Sequence, residues 1–461
     1  MRYVSTRGGV RGLSFSDAVM MGLADDGGLL VPETIPDVSE DLPQLAGKRY
    51  VDLAAYVMGH FIDDIPTDEL RSIIERSYET FDDPAVTPLV EVGDFHVLEL
   101  FHGPTLAFKD VALQFLGNVF EYVLSKRGGK LNILGATSGD TGSAAIAGVR
   151  GKQNINIFIM FPEGRTSALQ EKQMTTVLDD NVQNLAIEGS FDDCQLILKS
   201  IFNDLAFKNA YDLGAVNSVN WARVLAQVVY YFSAYVQLGS PERFQVAVPT
   251  GNFGNIFAGY IARRMGLPID TLILATNQND ILHRFFTTGR YERGEVHFSR
   301  SPAMDIQVAS NFERYLYFEF GEAPGKVKKF MEDFLRTGVA TTNFNTLNFD
   351  AAFASGSVSD DGIVEAISRI YEETGYLLDP HTAVGVEIGL AKRRPEMPLV
   401  CLATAHPAKF DDVIRQAIPG IEVSHPTLEL LKDLPERKTL LEGEIDAVKN
   451  FISTFNDQQA S

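Results

Sequence analysis

Between residues 87 and 100 apolar and polar positions alternate. Leu89, Val90 and Val92 precede Gly93-Asp94, and Phe95, Val97 and Leu98 follow. Two alternating runs around a short Gly-containing turn predict a hairpin. The period then changes, with Val111, Phe115, Val119 and Tyr122 recurring at helical spacing. The intervening stretch, His102-Gly103-Pro104-Thr105-Leu106-Ala107-Phe108-Lys109-Asp110, is a loop that ends at a helix start. Lys109 sits at that junction beside apolar neighbours.

Before the hairpin, residues 14–19 read as a short helix. Ser14 and Asp17 fit a capping box only loosely, because the third position is Asp rather than Glu. Residues 26–32 read as a turn into a short strand, and 50–61 and 67–81 as helices. Residues 1–94 are therefore expected to be a separate N-terminal domain that packs against, or supports, the rest. From Leu98 onward strands and helices alternate. Strand-like runs occupy 131–135, 156–160, 183–187, 244–248, 272–275 and 399–403, with helical patterns over 167–177, 193–202 and 221–235 between them. This alternation predicts an α/β fold of open, mostly parallel sheets flanked by helices. Ligands in such folds bind beyond the carboxyl ends of the strands.

Composition narrows the functional classes. The 461 residues are 45% hydrophobic and 22% charged, ordinary for a globular chain with ample core. Forty Lys and Arg against 61 Asp and Glu give a net charge of -21. No nucleic-acid or membrane partner is expected from that balance, but a small anion needs only a local positive pocket. Residues 1–8 lack the apolar core of a signal peptide. No apolar run reaches the roughly 18 residues of a membrane helix. Cys194 and Cys401 lie far apart, which points to a reducing, cytoplasmic setting. A polar stretch closes the chain at 457–461.

The candidate chemistry gathers on loops. A lysine beside apolar groups loses hydration, which lowers its pKa toward that of a Schiff-base former. Phe108-Lys109-Asp110 alone reads better as a solvated helix-start lysine. Two strand–loop–helix units alter that balance. One is Gly135-Ala136-Thr137-Ser138-Gly139-Asp140-Thr141-Gly142, and the other Gly251-Asn252-Phe253-Gly254-Asn255. Glycine-rich helix starts converge backbone N–H groups on an anion, although each loop alone also reads as a plain tight turn. Neither matches the P-loop or the dinucleotide fingerprint. A lysine for an aldehyde, loops for a phosphate and a hydroxyl for a ring nitrogen suit pyridoxal phosphate. Thr404, at the end of the last strand run, can supply that hydroxyl. His381 and His406 lack a third local ligand, so no metal is expected. Asn220, Arg223 and Gln227 share a helix face, which fits a phosphate or carboxylate clamp as well as an exposed face. Trp221 reads as a structural anchor.

Taken together, these segments resemble the threonine synthases, pyridoxal-phosphate enzymes of fold type II, in the form that carries an N-terminal domain. The matching stretches are Gly103-Pro104-Thr105 with Phe108-Lys109-Asp110, then 136–142, 217–223 and 251–255. Met304-Asp305-Ile306 with Ser310-Asn311-Phe312-Glu313-Arg314, 379–384 and 403–410 also match, in consistent order over most of the chain. The resemblance implies two open sheets, with a large cofactor-binding domain of 95–110 and 241–461 and a small α/β domain of 111–240. It implies conversion of O-phospho-L-homoserine and water to L-threonine and phosphate. Lys109 would carry the cofactor aldehyde and shuttle protons. Gly251, Asn252, Phe253, Gly254 and Asn255 would cradle the cofactor phosphate, and Thr404 would face the pyridine nitrogen. Thr137, Ser138, Asp140 and Thr141 would hold substrate near the ring, with Asn217, Ser218 and Arg223 on the substrate phosphate. Asp140 stands where the wider fold type has Asn, which leaves its contact with the ring oxygen open. The resemblance assigns no role to 304–314. A monomer or small homo-oligomer is expected. A serine or threonine dehydratase is the rival reading, and it needs no second phosphate site. A non-catalytic phosphate-binding protein would not need Lys109.

Overall fold

The predicted hairpin forms. Leu89–Val92 and Phe95–Glu99 pair antiparallel, with Leu89 opposite Leu98 and Val92 opposite Phe95. The computed structural model describes residues 1–137, 139–342 and 352–460. Among these residues the hairpin closes one edge of a six-stranded sheet. From the other edge the order is Phe353–Ser357, Ile269–Thr276, Phe244–Pro249, Leu399–Ala403, Phe95–Glu99 and Leu89–Val92, and every pairing but the hairpin is parallel. Phe95, Val97, Ala247, Ile273, Cys401 and Ala403 form its core with Val384, Val386 and Ile388 of helix Pro380–Lys392. Strands buried on both faces read as continuous apolar runs, which is why they were visible in the sequence.

The loop after the hairpin is pinned by backbone bonds. Leu100 N donates to Ala403 O at 3.0 Å, His406 N to Leu106 O at 3.0 Å and Phe108 N to Thr404 O at 2.9 Å. Ala107 and Ala405 form an antiparallel bridge, and Lys409 Nζ donates to Thr105 O at 2.7 Å. The residue before Lys109 is thereby fixed beside Thr404.

By internal contacts the chain divides into two units. The first is Met1–Val19, Leu23–Phe108 and Ser218–Val423, and the second Met20–Gly22, Lys109–Asn217 and Ser424–Ser461. This division differs from the expected domains: Lys109 and Asp110, expected with the larger sheet, open the second unit, and three larger segments are also regrouped. Residues 1–94, apart from Met20–Gly22, group with the larger sheet. Tyr3 donates its hydroxyl to Phe61 O at 2.8 Å, and both rings pack on Trp221. Helix Trp221–Gln237 accordingly belongs to the first unit, and its residues from Trp221 to Tyr235 are buried. Trp221 is the expected anchor. The exposed-face alternative for Asn220, Arg223 and Gln227 is overturned, because all three are buried.

The C-terminal segment joins the second unit. There the sheet order is Thr439–Glu442, Val182–Glu188, Ile155–Pro162, Leu131–Ala136 and Leu213–Gly214, all parallel. Residues 457–460 of the polar stretch are helical, within Ile445–Ala460. Buried asparagines explain why. Asn132 Nδ2 donates to Asn456 Oδ1 at 3.0 Å, and Asn156 Nδ2 to Gln459 Oε1 at 3.2 Å. In the same unit helices Lys109–Arg127 and Asp140–Val149 cross at Gly117 and Gly148. A Cβ on Gly148 would lie 2.5 Å from Leu113 O, and one on Gly117 still closer to Gly148 O. Only glycine permits that approach, and the crossing brings the two helix starts together.

Candidate active site

In the first unit, strand Phe244–Pro249 feeds the loop that opens helix Gly254–Arg264. Phe253, at the N-cap, has φ of 63°, a left-handed conformation that costs a bulky residue energy. Its ring is buried among Phe286, Phe312, Tyr315 and Phe353, which offsets that cost. No side chain caps this helix and no acid occupies its first turn. A Cβ on Gly251 would meet Ala303 O at 2.9 Å, so the loop cannot carry a side chain there. Asn255 Oδ1 accepts from the hydroxyls of Tyr230 and Tyr231. Its Nδ2 is buried and has no protein partner. Free helix-start amides and an orphaned amide donor fit a ligand phosphate.

The 304–314 motif supports this loop. Asn252 O accepts from Asn311 N at 3.0 Å and Asn311 Nδ2 at 3.1 Å. Ala303 N donates to His381 Nε2 at 3.2 Å, while His381 Nδ1 meets Asp379 Oδ1 at 3.0 Å. The ring therefore accepts at Nε2 and donates from Nδ1, as a neutral imidazole does. Asp379 also caps helix Pro380–Lys392 and accepts from the Thr382 hydroxyl. Thr382 Oγ1 in turn accepts from Thr404 N at 3.2 Å. These histidine, aspartate and threonine side chains hold the strand end that presents Thr404. Among the described residues no cluster of His, Cys, Asp and Glu is placed to hold a metal.

Arg223 lies in the first turn of helix Trp221–Gln237, only 4% exposed. Burial lowers its guanidinium to about 10, so it stays charged at neutral pH. Asn220 does not face a ligand. Its Oδ1 caps that helix by accepting from Ala222 N at 3.0 Å, and its Nδ2 donates to Val19 O at 2.9 Å. Ser218, half-buried, forms a 2.7 Å hydrogen bond with the Ser310 hydroxyl.

In the second unit Lys109 opens helix Lys109–Arg127, and Asp140 opens helix Asp140–Val149. Lys109 Nζ lies 3.5 Å from Asp140 Oδ2, with both side chains largely buried. Gln170 Nε2 donates to Asp140 Oδ1 at 3.2 Å. Asp140 is thus a partner of the lysine. The Thr137 hydroxyl folds its own loop, donating to Gly139 O and accepting from the N–H groups of Gly139 and Gly142. Thr141 is in the first helical turn and Asn217 is half-buried. Ser138 lies outside the described residues.

A helix-start lysine after a pinned loop, a phosphate-type helix N-terminus and parallel sheets define an α/β enzyme of the pyridoxal-phosphate class. The family described as pyridoxal-phosphate dependent enzyme matches residues 82–404. Residues 2–78 match the threonine synthase N terminus, and 382–452 the threonine synthase C-terminal family. A threonine synthase of Pseudomonas aeruginosa is 48% identical, with 99% of each chain covered. One of Schizosaccharomyces pombe is 46% identical, covering 90% of this chain and 89% of its own. The crystal structure of PLP-bound threonine synthase from Brucella melitensis superposes with a TM-score of 0.96 at 46% identity, covering 99% of both chains. The chain belongs to the threonine synthase family, and its cofactor is pyridoxal 5'-phosphate.

Proposed function

We infer that this chain converts O-phospho-L-homoserine and water to L-threonine and phosphate. One observation beyond family membership favours it over a dehydratase. The first unit carries two anion-binding features, the uncapped start of helix Gly254–Arg264 and the buried guanidinium of Arg223. A dehydratase acting on an unphosphorylated amino acid needs only the first.

In this reading Gly251 to Asn255 hold the cofactor phosphate through helix-start amides and the Asn255 side chain. The Thr404 hydroxyl meets the pyridine nitrogen. A hydroxyl there, unlike a carboxylate, need not keep the nitrogen protonated. The bound cofactor supplies one thing, a place for the electron pair left at the substrate Cα. Lys109 holds the cofactor until the substrate amine displaces it, and its freed amine then acts as the base. It takes the Cα proton, releases it to solvent, and as the free amine again takes a Cβ proton; phosphate then leaves Cγ and picks up one proton from solvent. The same amine returns a proton to Cγ before water adds at Cβ, and one to Cα afterwards. Asp140, 3.5 Å from Nζ, orients the amine between transfers and balances its charge. Arg223, with Asn217 and Ser218, binds the substrate phosphate; Thr137 and Thr141 line the space near the ring. The cytoplasm is the proposed compartment, supported by two free, buried cysteines. Among the described residues no helix is long and apolar enough to cross a membrane.

The test is phosphate and threonine production by the holoenzyme from O-phospho-L-homoserine, with L-serine run in parallel. Equimolar phosphate and threonine are expected, with little ammonia from serine. Rapid serine deamination without phosphate release would establish the dehydratase instead.

A further inference from the structure

The Ser310 to Arg314 segment lies 92 or more positions after Ser218 and 58 after Asn252, yet it joins the two. Asn311 is fully buried. One hydrogen of its amide points at Asn252 O and the other at Ser218 O, each at 3.1 Å. Its Oδ1 accepts from Arg314 Nη1. Every donor and acceptor of the carboxamide is engaged, so it has one orientation, because a flip would set oxygen against two carbonyls. Arg314, also fully buried, donates through Nε to Leu30 O at 3.0 Å and through Nη2 to Val219 O. Burial lowers its guanidinium to about 9, against the opposing pull of Glu313. Glu313 in turn accepts from Thr6 Oγ1 at 2.6 Å and from Arg7 Nη2 at 2.7 Å. The Ser310 hydroxyl adds a second bridge, to Ser218 Oγ at 2.7 Å and Asn252 Oδ1 at 3.2 Å.

We propose that Asn311 is a positioning residue that sets the spacing between the cofactor-phosphate loop at Asn252 and the substrate-phosphate turn at Ser218. This rests on the assignment of those two anion sites made above. The Asn311 carboxamide holds both backbones and the Ser310 hydroxyl both side chains, so the distance between the two bound phosphates is set by this one segment, with the carboxamide as its backbone tie, rather than by two independent loops. Arg314 and Glu313 connect that carboxamide to Leu30, Thr6 and Arg7. The N-terminal segment therefore braces the site without touching either phosphate.

The test uses Asn311→Asp. It keeps the shape and gives Arg314 a carboxylate, which protects the fold, but it turns an oxygen toward carbonyls that need a donor. Two constants are measured: cofactor affinity by absorbance, and inhibition of the cofactor-saturated enzyme by inorganic phosphate. Each should weaken by about tenfold, the scale of one lost buried hydrogen bond. Inhibition by L-threonine, which has no phosphate, should change less than about twofold, and the melting temperature by no more than a few degrees. Asn255→Asp should weaken cofactor affinity alone, and Arg223→Leu phosphate inhibition alone. If those two variants do not separate the constants, the two-site assignment fails, and the proposal with it. If they separate the constants but Asn311→Asp moves only one, or neither, the proposal alone is overturned. A fall in melting temperature with equal losses for phosphate and threonine would make Asn311 merely structural, and would also overturn it.

Discussion

Two helices in this molecule begin the same way and are put to opposite uses. Each follows a parallel strand and a glycine-containing loop: Leu131–Ala136 into Asp140–Val149, and Phe244–Pro249 into Gly254–Arg264. The first carries its own carboxylate in the first turn, and that carboxylate meets Lys109 at 3.5 Å and Gln170 at 3.2 Å. The second has no acid in its first turn and leaves the Asn255 Nδ2 without a protein partner. A helix N-terminus favours one negative charge. Where Asp140 supplies it, the site is set up to hold a cation. Where nothing supplies it, the site remains open to a phosphate. Glycine-rich loop sequences do not separate these cases, but the charge of the first helical turn does.

The comparison breaks most sharply at Lys109. Lys109→Ala removes both the proposed base and the cation of the Asp140 helix start, and should lower phosphate release by about a thousandfold, within the range of general-base catalysis. Saturating cofactor distinguishes this from lost binding. Asn255→Asp gives the second helix the acid that the first already has. Its cofactor dissociation constant should rise roughly tenfold while the hydroxyls of Tyr230 and Tyr231 keep their acceptor. Asp140→Asn makes the reverse change, removing the first helix's charge. Turnover should fall by about tenfold, the scale of one charge-assisted contact, with cofactor affinity within about twofold. Similar losses of cofactor affinity in both variants would erase the distinction.

The smallest effect concerns the strap before Lys109. The His102 ring sits between Glu99 Oε2 and Asp82 Oδ1, each at 2.8 Å, and Glu99 Oε1 accepts from the Tyr376 hydroxyl at 2.6 Å. Burial opposes protonation, but the hydrogen bonds to Glu99 and Asp82 outweigh it and hold His102 above its ordinary 6.5. A raised pKa stabilises the fold in full below pH 6.5, and that contribution is lost as pH rises through the folded value. Wild type should therefore lose about 2 °C of melting temperature relative to His102→Gln between pH 6 and pH 9. A pH-independent difference between the two would remove the charged-strap reading.

Most elements were legible because buried strands are continuous apolar runs and amphipathic helices keep their period. The hairpin at 89–99, the lysine at a helix start and both glycine loops are local patterns, and they stand where the sequence placed them. What was not legible is long-range. Thr439–Glu442 alternates between half-buried and exposed positions, a weak signal, and becomes a strand only by pairing with Val182–Glu188. The polar end of the last helix looked like a tail because its partners, Asn132 and Asn156, lie some 300 residues earlier. Asn311 and Arg314 stood out in the sequence only as part of a family-like motif with no assigned role, since their bonds run to Ser218, Val219, Asn252 and Leu30. The asparagines of strands 131–136 and 155–162 offered one usable hint. A polar residue in a buried strand must find a partner somewhere.

The central claim is that Lys109 carries the cofactor whose phosphate rests on the Gly251 to Asn255 helix start. Borohydride reduction of the holoenzyme, followed by peptide mapping, tests it most directly. The account predicts one pyridoxyl label, on the peptide that contains Lys109. A label on any other lysine, or none on protein whose absorbance shows bound cofactor, would contradict it.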